Sequence, residues 1–538
     1  MSSVTLGDSM SSIYGFYCLS HNASASLIVD GKIIHCAEEE RFTRIKAADQ
    51  YESYPQLCSK RIEDATGIRI KEADHKIFAL PIHPDFGNHL AGPNYETCSH
   101  HTAHNYSAYY TSGMEGKVLS ISLDGGGENN TSKVFLCEDG KMVEVKNTPI
   151  CSQGSLGLLW AFVTNSIRGY EPNGSSVWKM LKDEGKLMGM APNGKYNERY
   201  QKILRSIISY KDLVFNFPNT GFRTRFVMDS LFAQGEFNNF ENIQDFAFNL
   251  QMYTEEVVLQ FIDDLHKLFP DHTKICLSGG IFANVKLNQK INELPWVEEI
   301  YIVPPMGDEG LSLGVALKKA VELGEIVKPI KFENVYLGFE YSDSEVFKIS
   351  QNFDFTRKPY NAEEIARDID AGKIIGWFQG KMEYGPRALG ARSILTKATD
   401  PETHSKLNER LFRNDVMPFA PMALSEHFDE IFTCSKSKYA AEFMTICYTT
   451  KEEWIEKIPA VIQKTDKTAR PQIITQNNNR RVWDLMNKYN EISNIPIILN
   501  TSFNIHNEPI IESPEHAFTH LQNKVVDKLV IGNYVYEN

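Results

Sequence analysis

Two histidines four residues apart, in Cys98-Ser-His100-His101-Thr-Ala-His104, are the first residues whose types and spacing suggest chemistry. On a helix they share one face and suit a single metal ion. A pair is only part of a site, so carboxylates must join it from elsewhere. Asp124 ends a strand-like run and Asp308 lies in a loop after another, and both are of the right type. A two-His, two-Asp set suits iron(II), manganese or zinc better than calcium or magnesium. Spacing alone equally allows the imidazoles to cap or hydrogen-bond locally. Cys98 is a rival ligand, although its spacing to His100 matches no closed zinc module.

Glycine loops come next. Asp124-Gly125-Gly126-Gly127-Glu128 lets backbone N–H groups approach a phosphate without side-chain obstruction. Leu277-Ser278-Gly279-Gly280 follows a strand-like run and opens a helix-like stretch that includes Asn284, a geometry that holds a nucleotide near a helix N-terminus. Neither is a Walker loop or a G-x-G-x-x-G fingerprint, and each alone reads as a tight turn. Lys381, Arg387 and Arg392 with Ser393 then gather three cations and a hydroxyl around the Gly385-Pro386 turn, which Tyr384 precedes. Arginine forks suit phosphate or carboxylate. A solvated basic loop is the alternative, and the accompanying glycines and hydroxyl favour an anion site. Arg413, Arg470 and the run Asn500-Thr-Ser502-Phe-Asn504 could complete it. His21, beside a small-residue turn, is a candidate general base.

The elements that must position these residues belong to a chain of 538 residues with 42% hydrophobic and 11% aromatic content, enough for substantial cores. A formal net charge of −13 argues against a nucleic-acid polymer as partner while leaving room for a local basic pocket. The first residues lack the basic stretch and apolar core of a signal peptide, and no apolar run approaches a membrane span. Nine scattered cysteines with no C-x-x-C pair fit a reducing cytoplasm. Ser24–Val29 and Lys32–Ala37 around Asp30-Gly31 form a predicted hairpin, and Ser132–Cys137 and Met142–Val145 around Glu138-Asp-Gly140 form another. Helical periodicity covers 240–268, and strands are expected at 117–123, 274–277, 300–303, 373–378 and 496–499. The pattern lapses near 326–345, which predicts units of 1–340 and 341–538 in an α/β protein. Two hairpin-associated polar loops and a strand–Gly-Gly–helix suggest, by fold analogy, the duplicated fold of actin, sugar kinases and chaperone ATPases.

Taken in order, the segments resemble the O-carbamoyltransferases that tailor antibiotics and nodulation factors. The signposts are Glu38-Glu-Glu-Arg-Phe-Thr-Arg44, His100-His-x-x-His104, Asp124-Gly-x-Gly-Glu128, Gly185-Lys-Leu-Met-Gly-Met-Ala-Pro192, Leu277-Ser-Gly-Gly280, Asn284, Gly307-Asp-Glu-Gly310, Glu383-Tyr-Gly-Pro-Arg-Ala-Leu-Gly390, Pro418-Phe-Ala-Pro421, Thr468-Ala-Arg470 and Asn500-Thr-Ser-Phe-Asn504. The resemblance implies an N-terminal actin-like domain similar to the tRNA threonylcarbamoyl-transferase, and a C-terminal YrdC-like α/β domain. It implies that carbamoyl phosphate and ATP (with Mg2+) give carbamoyl-adenylate and pyrophosphate in the C-terminal domain. The N-terminal domain then carbamoylates a hydroxyl of a small-molecule acceptor and releases AMP. Under that scheme Lys381, Tyr384, Arg387, Arg392, Ser393, Arg413, Arg470, Asn500, Ser502 and Asn504 hold carbamoyl phosphate and ATP. His100, His104, Asp124 and Asp308 hold a divalent metal, iron(II) first. Gly125–Gly127, Ser278–Gly280 and Asn284 hold the nucleotide, and His21 and Lys46 serve the transfer. Met417, Lys464 and Ala47 depart from the family pattern. A tRNA-modifying enzyme, a small-molecule kinase and a nucleotide sensor are the alternatives, and a homodimer is the default assembly.

Overall fold

The computed structural model describes residues 11–18, 21–47, 55–80, 84–127, 130–145, 155–167, 183–216, 220–413, 418–434 and 436–538. Met417, Cys151 and Glu128 lie outside the described residues. The protein is mixed α/β, and two of its sheets share one topology. Strands β1 (Ser12–Tyr17), β2 (Ser24–Val29), β3 (Lys32–Glu38), β4 (His75–Ala79) and β5 (Glu96–Cys98) form a sheet in the order β3-β2-β1-β4-β5. Strands β6 (Val118–Gly127), β7 (Asn130–Glu138), β8 (Lys141–Glu144), β9 (Lys274–Ser278) and β10 (Glu299–Ile302) form a second, in the order β10-β9-β6-β7-β8.

In each half the first strand pairs antiparallel with the second and parallel with the fourth. The identical order and sense make the region a duplicated, actin-like fold. Both predicted hairpins occur, and Asp30 and Gly31 adopt φ of 48° and 71°, the left-handed pair that a two-residue turn needs.

The C-terminal part carries an eight-stranded mixed sheet. Its strands are β11 (Thr356–Pro359), β12 (Ile375–Phe378), β13 (Arg392–Lys397), β14 (Ala420–Leu424), β15 (Gln472–Ile474), β16 (Ile497–Ser502), β17 (Lys528–Ile531) and β18 (Tyr534–Glu537), in the order β11-β18-β17-β12-β13-β16-β14-β15. No helix among the described residues is long and apolar enough to cross a membrane.

Four helices matter for the site: α1 (His100–Ser112), α2 (Phe240–Leu268), α3 (Val285–Glu293) and α4 (Leu311–Glu322). Helix α1 starts at His100, which puts His100 and His104 one turn apart. A polar seam sets its position on β6. Asn105 donates to Ser122 Oγ at 2.9 Å, accepts from Ser120 Oγ at 2.8 Å, and His101 Nδ1 lies 3.1 Å from Ser122 Oγ. Such bonds inside an apolar layer fix register, because any slip leaves buried polar groups unpaired.

Two expectations shift. The strand expected to stop before the glycine run continues through it as β6. Its ladder breaks after Leu123↔Ser132 and resumes at Gly127↔Asn130, so residues 124–126 bulge out of the pairing. The helix expected to open after Gly280 is a 3-10 turn, Gly280–Ala283, and α3 begins only at Val285 behind the Asn284 N-cap.

Close backbone approach holds the helices against the first sheet. A Cβ on Gly314 of α4 would sit 2.0 Å from the Ala103 carbonyl oxygen of α1, and one on Gly15 of β1 would sit 2.0 Å from the Ser312 carbonyl oxygen. Gly314→Ala therefore forces α1 and α4 apart and is expected to destabilise the protein by about 1–3 kcal/mol, read as a lower urea midpoint. An unchanged midpoint would mean that the helices separate freely.

Candidate functional site

Strand register explains how distant residues meet. Ser278 of β9 pairs with Ser122 of β6. Two residues beyond each, the Gly280 N–H donates to Asp124 Oδ1 at 2.7 Å. Strand β10 runs parallel to β9, so its exit loop through Pro304 and Pro305 delivers Asp308 to the same edge. Strand β1 ends nearby, where Tyr17 Oη donates to Asp308 Oδ2 at 2.6 Å and His21 Nε2 lies 3.7 Å from the same oxygen.

There His100, His104, Asp124 and Asp308 come together with one potential ligand atom each, all within 4.8 Å of one another. His100 Nε2 is 3.3 Å from Asp124 Oδ2 and 3.4 Å from Asp308 Oδ1, and His104 Nε2 is 3.6 Å from Asp308 Oδ1. His104 Nδ1 meets Ser278 Oγ at 2.9 Å, which directs Nε2 inward. Both histidines and Asp308 are buried, whereas the Asp124 side chain keeps 12% of its surface exposed, so the cluster opens on that side.

Burial works against charge on Asp124. The His100 hydrogen bond, the two imidazoles and the Gly280 N–H outweigh it and hold the carboxyl well below its usual range. Burial also opposes ionisation of Asp308, as does Asp124 beside it, but His100 and His21 keep its carboxyl low. Buried His104 Nε2 and Asp308 Oδ1 have no hydrogen-bond partner among the described residues, and both face the cluster. Two orphaned donor-type atoms among two imidazoles and two carboxylates fit a divalent cation.

The glycines beside this cluster follow from its packing. A Cβ on Gly127 would lie 2.5 Å from the His100 ring, and one on Gly279, at φ +101°, 2.1 Å from the Leu123 carbonyl oxygen. Gly126 bulges outward at φ +151°, and Gly125 faces open space. Ser278 and Gly280, expected at a nucleotide, bond to His104 and Asp124 instead. Asn284 caps α3 and exchanges amide hydrogen bonds with Gln251 of α2.

The C-terminal cations divide into two kinds. Arg392 is fully buried, and its guanidinium donates to the carbonyls of Gln379, Gly380, Ala391 and Phe339 while covering the Phe378 ring. This corrects its expected role, because both terminal nitrogens are taken up by backbone carbonyls and the unpartnered Nε is buried with them. Ser393 accepts the Gly390 N–H, and Asn500 donates to the Ala388 carbonyl, so both brace the turn that follows Arg387. Tyr384 donates to the Glu309 carbonyl and is likewise no anion ligand here. Lys381 lies near His35, whose imidazole is driven down first by burial and then by that ammonium.

Arg387 and Arg470 differ. Arg470 makes no hydrogen bond or ion pair among the described residues, and Arg387 reaches only the Ala283 carbonyl, at 3.4 Å. Burial and the neighbouring Arg470 pull the Arg387 guanidinium down to about 9. Two close, unneutralised guanidiniums make a site that favours an anion. Arg413 bonds to Thr501 Oγ1, Ser502 Oγ and Asn504, which ties three expected residues into one network. Lys46 is exposed, yet protein crowding lowers its ammonium against the pull of Glu40 and Asp183, and Lys186 and Arg413 lower it further.

Sequence reasoning missed Tyr17, whose only signal is its position at the end of the strand that leads to His21. It also missed Glu383, whose buried carboxylate accepts the N–H groups of Leu389, Ala391 and Arg392.

Residues 88–317 match the family described as Carbamoyltransferase N-terminus, and 366–538 match Carbamoyltransferase C-terminus. The chain is 32% identical over 457 residues to an uncharacterized protein of Methanocaldococcus jannaschii, covering 81% of this chain and 73% of that protein. It is 29% identical to a second uncharacterized protein of that organism, covering 96% and 98%. Nodulation protein NolNO of Sinorhizobium fredii is 27% identical, with 96% of this chain and 78% of that protein covered.

His104→Ala and Asp308→Asn should abolish tight binding of manganese or zinc in calorimetric titrations. Ser278→Ala, which only frees the His104 ring, should weaken it about 10–100-fold. Unchanged affinity in all three would remove the metal assignment.

Proposed function

The chain belongs to the carbamoyltransferase family, and from that premise we propose that it is an ATP-dependent O-carbamoyltransferase working through carbamoyl-adenylate. The observation that carries this reading is the unneutralised Arg387–Arg470 pair, whose Arg387 lies in a turn that also touches the loop bearing Asp308. Two substrates rich in phosphate need such cations, and a kinase with one nucleotide would not need a second anion pocket.

Carbamoyl phosphate loses its phosphate to water as inorganic phosphate, and the carbamate oxygen attacks the α-phosphorus of ATP. Carbamoyl-adenylate forms and pyrophosphate leaves, with Mg2+ accompanying ATP. Arg387 and Arg470 offset the charge of the phosphates, the Arg413–Ser502–Asn504 network adds further polar groups, and Lys46, near Arg413, serves the transfer. A divalent metal on His100, His104, Asp124 and Asp308, iron(II) by preference, would supply Lewis-acid polarisation of an oxygen. His21, beside Asp308, accepts the proton of the acceptor hydroxyl as that oxygen attacks the carbamoyl carbon, and AMP departs. The acceptor is a small molecule such as an antibiotic, a sugar or a hydroxymethylated nucleotide. The enzyme acts in the cytoplasm, without a nucleic-acid polymer or membrane partner, as a homodimer.

The protein incubated with ATP, carbamoyl phosphate and a divalent metal should release pyrophosphate. Arg470→Ala should lower kcat/KM for carbamoyl phosphate about 10–100-fold, the loss of one charged hydrogen bond. ADP in place of pyrophosphate would refute the scheme. His21→Ala should leave pyrophosphate release intact while blocking carbamoylation of an acceptor found by mass spectrometry; loss of both activities would refute the division of roles.

A further inference from the structure

The turn Tyr384-Gly385-Pro386-Arg387 is held by more bonds than its length requires. Gly385 donates its N–H to Glu38 Oε1 at 2.7 Å and accepts at its carbonyl from Arg41 Nη2 at 2.8 Å. The same Arg41 nitrogen lies 2.7 Å from Glu38 Oε2, and Arg41 Nη1 lies 2.7 Å from Glu40 Oε1. Glu38 and Arg41 are 5% and 4% exposed, so this is a buried clasp around one peptide unit.

On its other side the turn abuts the loop that carries Asp308. Gly385 has φ +116°, and a Cβ there would lie 3.2 Å from the Pro304 carbonyl oxygen and the Pro305 nitrogen. Tyr384 donates to the Glu309 carbonyl and lies 3.2 Å from Ser312 Oγ. Asn22, next to His21, donates to Glu309 Oε2 at 3.1 Å. Arg387 follows two residues after the clasped glycine. One peptide turn therefore connects an anion-binding arginine with the loop of the metal ligands and with the neighbour of the proposed base.

None of the reaction's atoms needs Glu38 or Arg41. A buried ion pair adds little net stability, because desolvation offsets its attraction, so a role in geometric specification accounts for it better. We propose that Glu38 and Arg41 are positioning residues that register the Arg387 anion pocket against the metal-bearing loop. They thereby keep carbamoyl-adenylate enclosed between its site of formation and its site of use. This rests on the adenylation reading above. With the clasp loosened, the pocket still forms the adenylate, but water reaches it. Hydrolysis then attacks the carbamoyl carbon, with AMP as leaving group and carbamate as product.

The test needs no acceptor. The metal-loaded full chain is mixed with ATP and carbamoyl phosphate, and pyrophosphate is followed through the first turnover and beyond. The wild-type protein should show a burst of one turnover per site and then a slow phase, because the adenylate is retained. Glu38→Gln keeps the shape and the acceptor for Gly385 but loses the charge. It should keep the burst and raise the later phase about tenfold, the share of one charge-assisted hydrogen bond. Gly385→Ala, which wedges the turn away from Pro304, should do the same and decides the matter if Glu38→Gln does not fold. Burst amplitude counts competent sites, so partial misfolding cannot imitate a faster later phase. A later phase equal to wild type, or a lost burst in a folded variant, overturns this inference alone. A wild-type protein with no burst overturns the adenylation reading and this inference with it.

Discussion

Two carboxylates, Asp124 and Asp308, must share one small buried space, and much of the N-terminal architecture serves that requirement. Like charges at such distances are tolerated only where hydrogen-bond donors and cationic groups surround them. Here two imidazoles, the Tyr17 hydroxyl and the Gly280 N–H provide that surrounding. They come from three separate elements, α1 with both imidazoles, β1 with Tyr17 and the turn after β9 with Gly280, so each element has little freedom to move. The duplicated sheets bring the strand ends to one edge. The Asn105 seam holds α1 in register, and the small residues Gly15 and Gly314 let β1, α1 and α4 approach to backbone contact. The glycine run that reads as a phosphate loop is equally a consequence of this packing, since His100 leaves no room for a Cβ on Gly127.

The C-terminal part solves the converse problem of keeping cations uncompensated. A buried guanidinium ordinarily finds carbonyls or carboxylates, as Arg392 does with its backbone acceptors and Arg41 does with Glu38 and Glu40. Arg470 has no such acceptor among the described residues, Arg387 has only the Ala283 carbonyl at 3.4 Å, and the two disfavour each other. The fold tolerates that tension because the Glu383 carboxylate, through three N–H groups, and the carbonyls around Arg392 make the turn rigid without neutralising its reactive end. A basic cluster that looks uniform in sequence thus separates into a structural arginine and two electrostatically available ones.

Much of the local structure was legible. The Asp-Gly hairpins, the long helix over Phe240–Leu268 and the strand that leads to the Asp308 loop all follow from short-range rules. Other features were not legible because their causes are distant in sequence. The 3-10 turn after Gly280 replaces the expected helix start because Gly280 uses its N–H on Asp124 and Asn284 supplies the cap four residues later. The continuation of β6 through its glycines depends on pairing with Asn130, which periodicity does not reveal. Tyr17 carries no motif, and its importance comes entirely from where Asp308 arrives.

The sequence by itself determined the helical spacing of His100 and His104, the two hairpin units, the ordered motifs that resemble the carbamoyltransferases, and the acidic average that hides local cations. These depend on residue type and on neighbours a few positions away. Only the tertiary structure decided which carboxylates complete the histidine pair, that Ser278 orients His104, and that Arg392 is structural while Arg387 and Arg470 stay available. Those outcomes turn on where backbone carbonyls and N–H groups from remote segments converge. The strength of a buried charge's interactions is set by that convergence and by the exclusion of water, neither of which is a property of the residue alone.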